Sequence, residues 1–224
     1  MPISEGDFIK LSYTGSFGGF VFDTTDEETA KSNNIHSKNA IYGPITIRVG
    51  SQHVIQGLDE ALTGKNVGDE GDVTVPPEKG FGPHDREKVM SFPKNNFKEK
   101  PTRGQQVTVD KYGEGTVVDV IGSKVIVDFN SPFAGKTLDY HYKIEEIVEK
   151  AEEKVKGLIR LYAGKDMDLT LENGVVKIDL PAGITFDRRW MIWRSRVIHE
   201  SFEFIDGVSE IVLVESFKKP EKVE

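Results

Sequence analysis

Along "DFIKLSYTGSFGGFVFDTT", Ile9, Leu11 and Tyr13 alternate with Lys10 and Ser12, the two-residue period of a strand with one buried face. The glycines of "GSFGGF" turn the chain and apolar positions resume as far as Phe22, so the stretch predicts a β-hairpin. Residues 24–43 are polar and interrupted. They predict a bulge loop with one turn of helix ahead of the strand "PITIRVG". In "HVIQGLDEAL", His53 to Leu62, the period becomes helical, with Val54, Leu58 and Ala61 on one face. This helix opens oddly, on two β-branched residues, Val54 and Ile55, ahead of any polar cap. "GKNVGDEGDVTVPPEKGFG" then predicts a strand around Val73 to Val75 that ends at Pro-Pro.

From His84 to Ser131 the patterns "QQVTVDKYGEGTVVDV" and "SKVIVDF" describe a compact, hairpin-rich unit of nearly balanced charge. Its ends, "FGPHD" and "NSPFAG", are punctuated by Gly and Pro, so it reads as a β subdomain spliced into a loop. Leu138, Tyr140, Tyr142 and Ile144 alternate as a strand, and Ala151, Val155, Leu158 and Tyr162 follow at helical spacing. The remainder predicts strands at "DLTL" and "GVVKIDL", a helix from about Phe186 to Glu203, a strand "EIVLVESF" and a fraying tail "KKPEKVE".

Composition narrows the chemistry. The 224 residues carry a formal net charge of -8 with no Lys/Arg block, which disfavours a nucleic-acid partner. There is no cysteine, so disulfides, zinc-thiolate sites, iron-sulfur clusters and a cysteine nucleophile are excluded together. No signal peptide or membrane-length apolar run appears, so a soluble cytoplasmic protein with no membrane partner is expected. "GEGTVV" at Gly113 begins like a dinucleotide fingerprint but lacks the third glycine, and a tight turn accounts for it. His36, His53, His84, His141 and His199 show no metal-ligand spacing, and neither a metal nor a cofactor is expected. Tyr13, Phe22, Phe81 and Tyr140 each stand at the end or turn of a predicted strand, as core residues or as the walls of a site.

"GDFIKLSYTGSFGGFVFDTT", "VGSQHVIQGLDEALTGKNVGDEGDVTVPPEKGFG" and "NSPFAGKTLDYHYKIEEI" resemble the successive signatures of the FKBP-type peptidyl-prolyl isomerases, and the overall layout is most similar to the long archaeal members. The resemblance implies an α+β chain: an antiparallel half-barrel around a short helix (1–83 and 132–148), an insert-in-flap chaperone domain like that of SlyD (84–131) and a C-terminal α+β domain (149–224). It implies a proline pocket of Tyr13, Phe22, Asp23, Val54, Ile55, Leu58, Phe81 and Tyr140, with Asp23 orienting the pocket's tyrosine. Leu58 stands where a tryptophan usually floors that pocket, and Phe81 replaces a tyrosine, which argues against tight binding of the macrolide FK506. The substrates implied are unfolded or partly folded proline-containing polypeptides.

Val89, Met90, Phe92 and Phe97 have two readings: burial on the insert's own sheet, or a surface that catches unfolded chains because a two-stranded core cannot bury them all. The resemblance favours the second. In "FDRRWMIWRSRVIHESFEFI" the apolar positions exceed one stripe, so a face carrying Trp190, Trp193 and Val197 is expected to join two copies, with a second client surface or simple burial as the other readings. The expected function is prolyl isomerisation with folding-chaperone activity. The alternative is a holdase that binds chains with little turnover.

Overall fold

The structure, a computed structural model, describes residues 2–217. The tail "KKPEKVE" lies outside them. The chain divides into two compact units, Met1–Thr74 with Asp139–Glu224, and Val75–Leu138.

In the first unit β1 (Phe8–Phe17) is the central strand of a five-stranded sheet. It pairs antiparallel with β2 (Phe20–Thr24), with β3 (Ile45–Arg48) and, along its other edge, with β9 (Leu138–Ile147), which in turn neighbours β4 (Glu70–Val75). The β1–β2 turn is made at Gly18 and Gly19, both with positive φ, a backbone that matches the twist of the two strands it joins. The alternation read in the sequence is the one the sheet uses: Ile9, Leu11, Ile47 and Ile144 are fully buried. The helical turn expected in the bulge loop is α1 (Glu27–Ser32), capped by Asp26, whose carboxylate accepts from the Thr29 N–H at 2.7 Å.

The helix expected from His53 begins three residues later. It is α2 (Gln56–Leu62), and Ile55 is its N-cap, extended at φ -60 and ψ 146. The Ile55 carbonyl accepts from the N–H groups of Leu58 and Asp59, so helical bonding starts there, while β-branched Val54 and Ile55 keep the extended backbone that suits them. Asp59, buried in α2, turns back on the preceding loop and accepts from the N–H groups of Gly50 and Gln52, each at 2.9 Å.

The C-terminal part of this unit runs α3 (Ala151–Ala163), β10 (Asp168–Glu172), β11 (Val175–Leu180), α4 (Arg188–Phe204) and β12 (Glu210–Glu215). β10 and β11 pair antiparallel, and β11 and β12 parallel, the parallel pair being joined through α4. Gly164, left-handed at φ +63, closes α3. Trp190 and Val197 are 1% and 0% exposed within the core that α3 and α4 share with β10, β11, Phe8 of β1 and Val148 just past β9. The expected self-association face is corrected accordingly. Positions 190, 197 and 201 form the inward stripe of α4, and of the three residues assigned to that face only Trp193 is on the surface, beside Met191 and Ile192.

The second unit holds a four-stranded sheet in the order β5 (Val89–Pro93), β8 (Lys124–Asp128), β7 (Gly113–Ile121), β6 (Gln106–Val109), each strand antiparallel to its neighbour. Four strands make a larger core than the two allowed for above. Phe92 is buried in it with Val109, Val117, Val125 and Val127, and Met90 and Phe97 are half-buried against it. Phe92 is therefore mainly a core residue, and Val89, Met90 and Phe97 keep only part of their surface for any partner. "GEGTVV" opens β7 directly after the β6–β7 turn, and Lys111 in the turn and Gly113 at its end both have positive φ. At the base of the unit the N–H of Asp85 donates to the side-chain oxygen of Asn130, the Asn130 amide donates to the Asp85 carbonyl, and Gly135 donates to the Gly82 carbonyl.

Candidate functional site

Three strands bring four of the sequence-assigned residues together. Gly15 of β1 stands opposite Asp23 of β2 on one side and Tyr140 of β9 on the other, with Tyr13 two residues earlier on the same strand. The Tyr140 ring lies 5.9 Å from that of Tyr13, tilted by 48°, and 5.9 Å from that of Phe22, edge-on at 86°. The Tyr13 hydroxyl donates to the carboxylate of Asp23 at 2.8 Å. Tyr13 and Phe22 are half-buried, Tyr140 is 4% exposed and Asp23 is exposed, so the cluster is apolar within and polar at one rim.

Burial, and then the neighbouring Asp23 carboxylate, push the hydroxyls of both Tyr13 and Tyr140 well above the ordinary tyrosine range. Both remain neutral phenols at any physiological pH. Tyr13 is thus held as a donor to an acceptor, and its ring is fixed as a wall.

Gly15 was not singled out from the sequence, and the cluster depends on it. A Cβ there would lie 2.8 Å from Cε1 of Tyr140 and 2.9 Å from Cζ of Phe22, closer than packed carbons approach. The signal was present in "YTG": a glycine inside a strand marks close approach by something else.

Val54 and Ile55 are half-buried on the extended approach to α2, and Leu58 is fully buried on its first turn. Phe81 belongs to the second unit, where it is 40% exposed and its ring lies 5.3 Å from that of Phe133. Among the described residues no group of three or more His, Cys, Asp or Glu could hold a metal ion, and no helix is long and apolar enough to cross a membrane.

An apolar enclosure with one oriented hydroxyl suits a reaction that needs no nucleophile. Rotation about an Xaa-Pro bond is opposed by amide resonance, by roughly 18 to 20 kcal/mol. The twisted amide is less dipolar than the planar one, and a site that binds it more tightly than the planar form accelerates the rotation.

Comparison with known proteins agrees. Residues 2–96 match the family described as FKBP-type peptidyl-prolyl cis-trans isomerase, and residues 151–218 match one described as FKBP26_C-terminal. The short-type peptidyl-prolyl cis-trans isomerase of Methanocaldococcus jannaschii is 35% identical over 148 residues, which is 65% of this chain and 94% of that protein. The FKBP-type isomerase SlyD of Helicobacter pylori is 26% identical over 129 residues, 55% of this chain and 70% of its own. The FKBP-type 16 kDa isomerase of Escherichia coli is 26% identical over 134 residues, 57% of this chain and 87% of its own. With the half-barrel strands, the short helix and the aromatic cluster around Gly15 in hand, the chain belongs to the FKBP-type peptidyl-prolyl cis-trans isomerases.

Proposed function

We propose that this chain turns over Xaa-Pro bonds at the cluster of Tyr13, Phe22, Asp23 and Tyr140, with Val54, Ile55 and Leu58 completing the wall on the side of α2. The observation that carries the reading is the Tyr13 to Asp23 hydrogen bond inside an aromatic trio packed on a glycine. A roughly ten-thousandfold acceleration needs about 5 to 6 kcal/mol, within reach of apolar enclosure and one or two hydrogen bonds. The test is prolyl isomerisation on a short Xaa-Pro peptide and on a protein whose refolding is limited by proline, with wild type, Tyr13→Phe and Asp23→Ala. Loss of rate on both substrates with the fold retained is expected. Undiminished rates in both variants would move the site elsewhere.

A second activity, binding of unfolded polypeptide by the unit Val75–Leu138, is favoured by one feature. An open cavity of about 790 Å³ is lined by Phe92, Phe97, Val107 and the half-exposed Tyr112, interspersed with polar and charged side chains. Extended segments would be caught there at Phe97, with the half-buried Val89 and Met90 outside the cavity as further apolar contacts on the same unit. The holdase alternative separates cleanly: a wild type that suppresses aggregation but accelerates neither substrate would replace the isomerase reading. For self-association the available surface is Met191, Ile192, Trp193 and Phe202 of α4, each more than 40% exposed. A cytoplasmic setting accords with the absence of cysteine.

A further inference from the structure

His53, the residue immediately before Val54 and Ile55, has a side chain only 1% exposed and is engaged at both ring nitrogens. The backbone N–H of Arg48, at the end of β3, donates to Nδ1 at 3.0 Å, so Nδ1 is the acceptor and the ring proton resides on Nε2. Nε2 donates to Oε2 of Glu200, 2.9 Å away on α4. The Glu200 side chain is likewise 1% exposed. Its other oxygen accepts from the Tyr162 hydroxyl of α3 at 2.7 Å and from Nε of Arg196, one turn earlier on α4. The Tyr162 ring stands edge-on to His53 at 5.8 Å and stacks on Trp193 at 5.5 Å.

A buried carboxylate is a poor device for stability alone, because well-packed apolar side chains of similar size serve at least as well. What a fully satisfied polar network supplies is a fixed geometry. Here the geometry is that of the segment Gly50–Ile55, which has two carboxylate clamps: Asp59 of α2 on Gly50 and Gln52, and Glu200 on His53. α3 also grips the chain just ahead of β3 and within it. Arg160 of α3 donates to the Tyr42 carbonyl at 2.5 Å, and Gly157 lets α3 approach Thr46 so closely that a Cβ would collide with its side chain. Glu200, Tyr162 and Arg196 all fall within residues 151–218, outside the segment that matches the isomerase family.

We infer that Glu200 is a positioning residue of the isomerase: through the Nε2–H of His53 it holds Val54 and Ile55 in place, so the C-terminal helices are part of the working site. The inference rests on the assignment of Val54 and Ile55 to the proline site.

The test uses the full chain, a short Xaa-Pro peptide and a temperature at which circular dichroism shows every variant folded. Glu200→Leu and His53→Leu should each lower kcat/KM about tenfold, and the double variant should be no worse than either, because both act through one hydrogen bond. Glu200→Gln, which keeps an acceptor for His53, should restore most of the rate. The His53 Nε2–H proton should be visible far downfield by NMR in wild type and disappear in Glu200→Leu. Ile178→Ala serves as the control, since it loosens the same C-terminal core without touching His53, and it should keep kcat/KM. Equal losses in Ile178→Ala and Glu200→Leu, or no loss in Glu200→Leu, overturn the inference. Should Glu200→Leu not fold, His53→Leu alone decides on the same terms. Tyr13→Phe and Asp23→Ala on the same peptide separate the two claims: if they lose rate and Glu200→Leu does not, the inference falls alone. If they too keep full rate, the pocket assignment falls and takes the inference with it.

Discussion

At the scale of single residues, the site is built around an absence of atoms. Gly15 leaves room for two rings, and any side chain there must displace Tyr140 or Phe22. Gly15→Ala is therefore expected to cost about 1 to 3 kcal/mol of stability through overpacking, and to lower kcat/KM more than Tyr13→Phe does, because it moves two walls at once. Urea unfolding and peptide isomerisation of the two variants check both halves. Tyr13→Phe keeps the ring and removes one hydrogen bond at an exposed rim, so its stability should fall by about 1 kcal/mol or less. The aromatic types and the aspartate were legible in the sequence through their motif. The glycine of "YTG" marks a close approach, but which rings approach it was not legible, since contacts across strands have no periodic signature along the chain.

At the scale of elements, α2 and α4 show where pattern reading stops. Val54, Leu58 and Ala61 have helical spacing in the sequence although Val54 precedes the helix, so periodicity places the helix start too early and only the hydrogen bonds that the Ile55 carbonyl accepts locate it. In α4 the apolar excess was correctly seen, but which stripe faces inward depends on what α4 packs against. Trp190 and Val197 went in, and Glu200 went in with them because three donors wait for it. Burial works against the Glu200 charge, yet the hydrogen bonds from His53, Tyr162 and Arg196 prevail and hold its carboxyl at about 2, below the ordinary 4.5. A depressed carboxyl contributes stability that is complete above 4.5 and is lost as the pH falls towards 2. Wild type should thus lose thermal stability across that window more steeply than Glu200→Gln, by an amount on the order of 2 to 3 kcal/mol. Melting temperatures of both proteins at a series of pH values provide the check. Gly157→Ala is expected to separate α3 from β3 at a cost of about 1 to 3 kcal/mol, measurable by the same unfolding experiment.

At the scale of the molecule, the two proposed activities sit on different compact units and should separate by point substitution. Phe97→Ser should weaken suppression of aggregation of an unfolded client while leaving isomerisation of a short peptide unchanged. If peptide turnover falls in step with aggregation suppression, the division of labour is wrong. A monomer mass from light scattering at all accessible concentrations would likewise remove the assignment of the Trp193 surface to self-association. The sequence by itself determined the strand alternation, the helices at Ala151–Ala163 and near Arg188–Phe204, and the family with its aromatic motif, because these depend on short-range period and on residue type. Only the tertiary structure decided that Phe92 and Trp190 are core, that Tyr140 and Phe22 are the rings that press on Gly15, and that His53 is joined to Glu200 across 147 positions of chain. Those outcomes turn on which surfaces meet, and burial and hydrogen-bond pairing between distant residues leave no local pattern from which they could be read.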